Sequence, residues 1–357
     1  MAAIARSQSG PTWLATLQRS ELVRLLSVTL LGIVVVAVYL LPLGYMFATA
    51  FKTQTQFQDA NFHILPSSPI TYNYQGQDYP LLQVPTEQGV KEMALVEKFF
   101  DESNFIDPAR PEAGLINWKG AWRTLEPVYH FDPTFQNFPT AWNQVSLALL
   151  FRNSFIIAFV GMVGTLLAST LVAYGFARFR FRGRDTLFLF LMATIILPTQ
   201  ITLIPRYIFF RAIGWGGTWW PLIVPHFFSN AYNVFLLRQY FRGIPRDLDE
   251  AATIDGASPL RILTDVIVPQ SLPAITAVGL FHFFWSWNDF FEPLVFLQGR
   301  PELYTIPIGL TQFNNIFNIQ PGLAMSAAMM AMSLPVVVFF LAQRVFMQGI
   351  VITGVEK

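Results

Sequence analysis

The sequence has no cysteine and few charged residues. None of its 357 residues is a cysteine, and only 13% are Asp, Glu, Lys or Arg, against about 25% in a typical soluble domain. The missing thiols exclude disulfide bonds, thiolate metal sites and cysteine nucleophiles. With 53% of its residues hydrophobic, the chain cannot cover a soluble surface, so we expect lipid to surround it. The net charge of +1 gives no reason to expect a nucleic-acid partner.

Sequence signatures of nucleotide and metal chemistry are also missing. There is no G-x-x-x-x-G-K-[ST] phosphate loop, and no Gly-Lys pair occurs at all, which excludes this way of binding ATP. No HExxH motif is present and the four histidines are scattered, so we expect no cofactor, metal or catalytic centre on this chain. Internal repeats, which secondary transporters usually show, are absent from the sequence.

Six apolar runs are long enough to cross a membrane, which takes about 20 residues. They cover residues 25–50, 147–177, 186–206, 219–241, 273–297 and 322–347. Several contain proline, which a membrane helix tolerates because neighbouring helices satisfy the freed carbonyl groups. The first run also has features of a signal peptide, but it is longer than the roughly 7–15 residues of an apolar signal region, which favours a retained span. The predicted fold class is an all-α integral membrane protein with six transmembrane helices.

Arginine residues are concentrated in alternate connecting segments, most clearly in FRFRGRD at 179–185. Because short cytoplasmic segments carry the excess of Lys and Arg, this pattern predicts that both chain termini, including residues 348–357, are cytoplasmic. The long connection between the first two runs then lies on the outer side of the membrane, where long segments are translocated regardless of their charge.

This connection, residues 51–145, differs in composition from the rest of the chain. Prolines, glycines and aromatic residues alternate with charged ones, and acidic residues outnumber basic ones. The apolar spacing in 86–102 predicts one amphipathic helix, and the stretches Tyr72–Val84 and Ile116–Val128 are compatible with short strands. We expect a small folded α+β insert between the first two spans, which either docks a partner or caps the membrane helices.

A polar stretch, EAATIDGASPL at 250–260, separates the fourth and fifth apolar runs. Asp247 lies at a predicted helix start, and Gly256 permits a sharp turn. A second helix begins near Ser258, with Pro259 in its first turn, and is expected to end before Pro269. The residues alone predict a helix, a glycine turn and a second helix along the membrane face. An interfacial amphipathic connector without further function would have the same pattern.

Several of these segments carry a family resemblance. EAATIDGAS at 250–258, followed by VIVP at 266–269, resembles the EAA-x3-G-x9-I-x-L-P loop of ABC-importer permeases, with two valines in place of the isoleucine and leucine. FFWSWNDFFEPLVF at 283–296 and LAQRVFMQGIVITGVEK at 341–357 resemble the carbohydrate branch of the family. Within this branch, the sequence resembles the smaller, maltose-type permease subunit.

The resemblance covers residues 130–357 and the first span, whereas 55–130 departs from it. It implies the type I ABC importer fold in a bacterial or archaeal inner membrane. The organisation would be an N-terminus with the first span (1–50), the insert (51–145), a core of five helices (146–347) and a cytoplasmic tail (348–357).

The family loop implies a coupling role for residues 244–272. It would dock on a cytoplasmic ATPase, with Glu250 offering a carboxylate, two alanines keeping the face thin, Gly256 turning the chain and Pro269 ending the second helix. The implied coupling residues are Glu250, Ala251, Ala252, Asp255, Gly256 and Pro269. The implied partners are a second homologous permease, two ATPase subunits that bind ATP and Mg²⁺, and an extracytoplasmic solute-binding protein.

Polar residues inside apolar runs are candidates for a transport path, because they are costly in lipid and usually face a bundle interior. His282, Trp285, Asp289 and Glu292 share one face if the fifth run is a single helix. Carboxylates and aromatic rings are suited to binding sugars. The candidate path or gate residues are Trp285, Asn288, Asp289, Glu292, Gln200 and Asn153. The same cluster could instead pack against a partner permease.

The cargo implied by the resemblance is a sugar or an oligosaccharide. An ABC permease for another small solute, such as a polyamine, an amino acid or phosphate, remains an alternative. A secondary transporter is a further alternative, but it would leave the EAA-like loop without a function.

Overall fold

The computed structural model describes residues 19–351, except 60, 62, 87, 88, 316 and 317. Predictions for the first 18 residues and for 352–357 of the tail therefore lie outside the described residues. The chain forms two compact units. One combines the first helix with residues 59–132, and the other combines residues 53–58 with residues from 133 onwards. Residues 133–145, which the sequence assigned to the insert, belong to the second unit.

The first helix, α1, runs over Arg19–Ala50 and contains Pro42. Its part Val23–Ala50 is long and apolar enough to cross a membrane, in agreement with the first predicted span. Every residue from 23 to 42 is exposed in this single chain. Such continuous apolar exposure is expected of a helix whose surroundings are lipid or other subunits.

The end of α1 is tied to the insert by a small polar cluster. The ammonium group of the buried Lys52 donates a hydrogen bond to the carbonyl of His63. The rings of His63 and Tyr129 lie 4.0 Å apart, and the Tyr129 hydroxyl donates to Asp59 at 2.8 Å. Burial raises the pKa of this hydroxyl. These contacts fix the first and last parts of the insert to the helix that precedes it.

The insert is a small antiparallel sheet. Its strands are β1 (Ser67–Pro69), β2 (Thr71–Tyr74), β3 (Gln77–Thr86), β4 (Gly89–Lys98), β5 (Glu102–Ile106), β6 (Ile116–Lys119) and β7 (Tyr129–Phe131). Strands β2 to β6 form a meander in chain order, and β1 pairs with β7. One face buries Val84, Leu95 and Phe105, and the other face buries Leu81 and Ile106.

The predicted helix at 86–102 is wrong. The segment is instead β4 and the start of β5, and β4 pairs with both β3 and β5. The error has a physical cause: Met93 and Leu95 face one core while Ala94 faces the other, so both faces of the strand are apolar. A strand buried on both sides shows a continuous apolar run, which periodicity cannot distinguish from a helix. Within the predicted bounds 51–145, residues 54–58 and 137–144 are helical but belong to the second unit, whereas the described residues of 59–132 form strands and no α-helix.

The second unit is helical. Its helices are α2 (Gln54–Gln58), α3 (Asn137–Gln144), α4 (Leu147–Arg178), α5 (Arg184–Ala193), α6 (Thr199–Ala212), α7 (Trp220–Ile223), α8 (Ala231–Gly243), α9 (Asp247–Ile254), α10 (Pro259–Ile262), α11 (Val268–Gln270), α12 (Leu272–Trp287), α13 (Phe291–Phe296), α14 (Ile306–Leu310) and α15 (Pro321–Val351). Two short strands, β8 (Asn314–Asn315) and β9 (Asn318–Ile319), pair before α15. Helix α4 lies at the centre and packs against α8 and α12.

Three described helices are long and apolar enough to span a membrane, and two bent helix pairs raise this number to five if each pair is one span. The single helices are Val23–Ala50, Leu147–Arg178 and Pro321–Arg344. The pair Arg184–Ile196 and Thr199–Ala212 is bent by 97°, and the pair Pro259–Gln270 and Leu272–Trp287 by 82°. The multi-helix membrane character agrees with the sequence, while the count of six stays a prediction.

The fourth predicted span, 219–241, is not one continuous helix. It is divided into α7, a 3₁₀ segment over Val224–Phe228, and α8. Pro225 supplies no backbone N–H, and Ser229 adopts a left-handed φ of 64° that ends the helical path. The apolar composition was read correctly, but composition alone does not show where the backbone breaks.

Glycines on α4 allow the broken segment to approach closely. A methyl group added at Gly164 would lie 2.5 Å from the ring of Phe227. One added at Gly161 would lie 2.9 Å from the Nε2 atom of His282 and 3.1 Å from the ring of His226. Small residues of this kind let membrane helices and their neighbours pack at short distance.

Replacing Gly164 with alanine should destabilise the protein, because the Phe227 ring must move to admit the new methyl group. Overpacking typically costs about 1–3 kcal/mol. Gly175→Ala on the same helix is the matched control, since nothing lies within 4 Å of the added methyl group there. We expect a lower thermal unfolding temperature in detergent for Gly164→Ala and an unchanged or higher one for the control. Equal unfolding temperatures for the two variants would contradict this account of the packing.

Candidate functional site

The polar stretch after α8 folds as two short helical arms joined at a glycine. Helix α9 begins at Asp247, and its first turn carries three acidic residues, which the helix dipole favours. Gly256, with a φ of +82°, turns the chain, and the Ser258 side chain then accepts a hydrogen bond from the Arg261 N–H at 3.3 Å. Pro259 occupies the first turn of α10. This arrangement agrees with the predicted order of helix, glycine turn and helix.

Pro269 does not end the second arm, in contrast to the prediction. Helix α10 continues through a π-helical stretch, Leu263–Ile267, into α11, and the run ends at Ser271. The wider π turn changes the register of the backbone hydrogen bonds, so a proline without an N–H can follow it while the run stays helical. The chain then bends by 82° into α12.

Both arms are held by the last turns of α4. The Nε atom of Arg178 lies 3.0 Å from Oδ2 of Asp249 on the first arm, and a guanidinium N–H of Arg178 donates to the carbonyl of Ile244 at 3.0 Å. The Tyr174 hydroxyl donates to the carbonyl of Pro259 on the second arm at 3.0 Å. A displacement of the two-armed loop would therefore act directly on α4.

The opposite face of the loop is exposed. Glu250, Ala251 and Asp255 are exposed, and Ile254 has 86% of its surface accessible. Ala252 instead faces inward and packs against the buried cluster beneath the loop. An exposed isoleucine among carboxylates is the kind of surface that another protein could cover. Five of the six predicted coupling residues thus lie on accessible parts of the loop, and Ala252 supports it from below.

A second feature is a cavity of about 470 Å³ within the helical unit. Elements α6, α8, α12, α13 and the segment before α8 surround it. Its lining residues are Thr199, Arg206, Pro225, His226, Ser229, Asn230, Tyr232, Asn233, Phe281, His282, Trp285 and Glu292. The volume lies within the range of about 300–1,000 Å³ that is usual for small-molecule sites.

A two-point ion pair closes one side of the cavity. The Nη1 and Nη2 atoms of Arg206 lie 2.6 and 3.1 Å from Oε1 and Oε2 of Glu292. Glu292 is buried, with 8% of its surface exposed, and its backbone N–H donates to the Asp289 carboxylate at 3.4 Å. The pair joins α6 to α13, and such bidentate pairs combine strength with fixed geometry.

Aromatic rings and polar groups form the rest of the lining. The rings of His226 and His282 lie 4.5 Å apart, and each lies about 6 Å from the ring of Trp285. Nδ1 of His282 is 3.2 Å from the Thr165 hydroxyl on α4. Ser229 combines a φ of 64° with a ψ of 166°, a region that otherwise belongs to glycine, so its backbone is strained.

The predicted path residues fall in different places. Trp285 and Glu292 line the cavity, as does His282, but they do not share one helical face, because α12 ends at Trp287 and α13 starts at Phe291. The side chain of Asn288 donates to its own helix at 2.8 Å, and Asp289 caps the backbone of Glu292.

Two further candidates lie apart from the lining. Asn153 is fully buried and donates to the carbonyls of Glu302 and Tyr304, both at 3.0 Å, so it ties α4 to the loop before α14. Gln200 is exposed beside Thr199, which does line the cavity. Sequence reasoning missed Arg206 and the residues around Ser229. An arginine at the end of an apolar run was the available signal for Arg206.

Comparison with known proteins gives the family. The profile of the family described as "Binding-protein-dependent transport system inner membrane component" matches residues 161–351. The osmoprotective compounds uptake permease protein GgtD of Synechocystis sp. is 33% identical over 257 residues, 71% of this chain and 85% of the relative. The trehalose/maltose transport system permease protein MalG of Thermococcus litoralis is 30% identical over 229 residues, 63% of this chain and 82% of the relative.

One solved structure supports the fold. A chain of a bacterial ABC transporter involved in the import of the acidic polysaccharide alginate superposes with a TM-score of 0.64, covering 92% of this chain and 98% of that one. The sequences are 18% identical, so this similarity concerns the fold alone. The family that the sequence resembles is confirmed: this multi-pass membrane chain belongs to the binding-protein-dependent transport system inner membrane components.

Proposed function

We propose that the chain is a permease subunit of an ATP-binding-cassette importer for a sugar or an oligosaccharide. This chain forms one half of the translocation path, and a second, homologous permease subunit forms the other half. Two separate ATPase subunits bind and hydrolyse ATP with Mg²⁺, and an extracytoplasmic solute-binding protein delivers the cargo, so this chain is not an enzyme. The family membership supports its place in such a system, and the relative named for trehalose and maltose supports the sugar cargo.

The two-armed loop at 244–272 is the observation that carries this proposal. Its outer face presents Glu250 and Ile254, and its inner face is fixed to α4 through Asp249 and Pro259. A loop whose outer face is exposed and whose inner face is bonded to α4 is suited to transmitting a displacement from a docked partner to α4. In the proposed mechanism, closure of the ATPase dimer moves the loop, and α4 moves with it.

Helix α4 also reaches the cavity, which is the proposed part of the path in this subunit. Gly161 lies against His226 and His282, and the Thr165 hydroxyl lies 3.2 Å from the His282 ring. Movement of α4 would therefore change the cavity wall. The loop contacts α4 at Tyr174 and Arg178, and the cavity wall contacts the same helix at Gly161 and Thr165. Movement of α4 alone can therefore connect ATP hydrolysis with access to the path.

The family membership supports a bacterial or archaeal inner-membrane location, and the arginine distribution supports an orientation with both termini in the cytoplasm. The loop and the 179–185 segment then lie on the cytoplasmic side, and the small sheet lies outside. Outside the membrane the sheet is available either to a solute-binding protein or as a cap on the helices.

The partners can be tested by isolating this chain from its native membrane in a mild detergent, followed by mass spectrometry. We expect an ABC ATPase and a second multi-span permease in comparable amounts, because the exposed loop and the exposed apolar helices need partners. Recovery of the chain alone, or only with copies of itself, would overturn the proposed assembly and favour a secondary transporter.

The coupling role can be tested by Glu250→Lys. Reversing a charge that docks on the ATPase should reduce binding-protein-dependent uptake by about tenfold or more, because an unmatched charge at such an interface is costly. Glu21→Lys is the matched control, since Glu21 is also an exposed carboxylate but lies in the first turn of α1, outside the loop and the insert. Uptake and copurified ATPase should both fall for Glu250→Lys and stay at the level of the unmodified protein for Glu21→Lys. Normal uptake with Glu250→Lys would refute the coupling role.

A further inference from the structure

We propose that the cavity around Arg206 and Glu292 contacts the cargo directly in this subunit, and that it takes an uncharged, hydroxyl-rich molecule. This inference rests on the proposed function and makes its substrate class specific. Neutral sugars and glycosides fit the site, whereas acidic sugars, phosphate and polyamines do not.

The charged side chains of the cavity lining disfavour a charged cargo. Among the described residues that line the cavity, Arg206 and Glu292 are its arginine and its carboxylate, and each uses both of its terminal atoms on the other. A carboxylate or phosphate cargo would have to displace Glu292 from the guanidinium. A cationic cargo would have to displace Arg206 in the same way. Displacing either group leaves a buried charge without its partner, which is strongly unfavourable.

The neighbouring titratable groups do not change this conclusion. Asp289 accepts the backbone N–H of Glu292 and adds no cation for an anionic cargo. The rings of His226 and His282 lie 4.5 Å apart, so charging both would place like charges in contact. Among the described residues, the lining therefore lacks the pair of free cationic groups that would hold an acidic sugar.

The uncharged groups are those that recognise hydroxyl-rich molecules. Trp285 is 48% exposed in this chain and offers a ring face for an apolar sugar surface. The hydroxyls of Thr199, Ser229 and Tyr232 can donate and accept, as a sugar hydroxyl requires. The strained backbone at Ser229 fits this role, since strain of this kind concentrates at ligand sites.

The breaks in the helices point to the same place. Thr199 follows the break between α5 and α6, Ser229 and Asn230 form the break before α8, and Trp285 and Glu292 flank the break between α12 and α13. Within a membrane, irregular backbone is tolerated where it is buried in protein or lines a polar cavity.

The test compares ligand binding to the purified permease–ATPase complex without the solute-binding protein, which would otherwise select the cargo. The probes are maltose and trehalose as neutral disaccharides and digalacturonic acid as an acidic one, with binding followed by saturation-transfer NMR. We expect the unmodified complex to bind at least one neutral disaccharide in preference to digalacturonic acid.

Glu292→Gln removes the carboxylate and releases Arg206, so binding of digalacturonic acid relative to the neutral disaccharides should rise about tenfold. The double variant Arg206→Gln/Glu292→Gln removes both charges and should restore the neutral preference, which also guards against a folding defect in the single variant. Glu302→Gln is the matched control, because Glu302 pairs with Arg300 on the surface away from the cavity, and its preference should not change.

Four binding results would overturn the inference, three of which concern the binding preference. These are preferential binding of digalacturonic acid by the unmodified complex, no binding of either neutral disaccharide, or an unchanged preference in Glu292→Gln. Equal loss of all probes in both the single and the double variant would identify the pair as a structural lock instead. None of these results affects the proposed function if the complex still carries out binding-protein-dependent, ATP-driven uptake. If the purified complex does not contain the ATPase, both the proposed function and this inference are contradicted.

Discussion

The close approach of neighbouring elements to α4 is the constraint on which both sites depend. Gly161 and Gly164 leave room for the rings of His226 and Phe227, and Gly279 brings α12 to the same helix, with an added methyl group meeting Leu166 at 3.2 Å. Without this short spacing the broken segment before α8 could not reach the cavity wall. The same helix ends in Tyr174 and Arg178, which hold the loop. One well-packed helix therefore positions a polar surface at its end and a polar cavity along its side.

Two ion pairs between residues far apart in the chain shape the sites. Arg178 and Asp249 keep 6% and 19% of their side-chain surface exposed, and Arg206 and Glu292 keep 29% and 10%. Both pairs join residues far apart in the chain. By contrast, the local pair Arg261–Asp265 is exposed at 72% and 58%, and solvent screening leaves such a pair little energy. Breaking a shielded pair leaves an uncompensated charge, which is strongly unfavourable. The Arg178–Asp249 pair therefore holds the loop on α4, and the Arg206–Glu292 pair holds α6 and α13 together at the cavity.

Structural features that depend only on neighbouring residues could be predicted from the sequence. The start of α9, the turn at Gly256 and the cap at Ser258 depend on neighbouring residues, and they agree with the prediction. The strand at 89–98 was mistaken for a helix because its identity depends on two partner strands and two cores. Asn153 stays a predicted path residue, but the sequence could not show that its side chain bonds the carbonyl of the distant Glu302. Arg206 was missed because its partner is 86 residues away.

The same reasoning explains why the spans were easier to predict than their interruptions. Apolar composition is imposed by lipid and is visible in any window of sufficient length. A break needs its freed backbone groups satisfied by other elements, which no window contains. Pro198 and Pro225 mark two of the breaks, yet Pro42, Pro205 and Pro335 lie inside continuous helices. Closeness to the cavity does not separate the two sets, because Pro225 lines the cavity and Pro198 is next to the lining residue Thr199, but Pro205 is also next to a lining residue, Arg206. Three breaks nevertheless border the cavity, where a polar space can satisfy the freed backbone groups, so a proline marks a break only in combination with the packing around it.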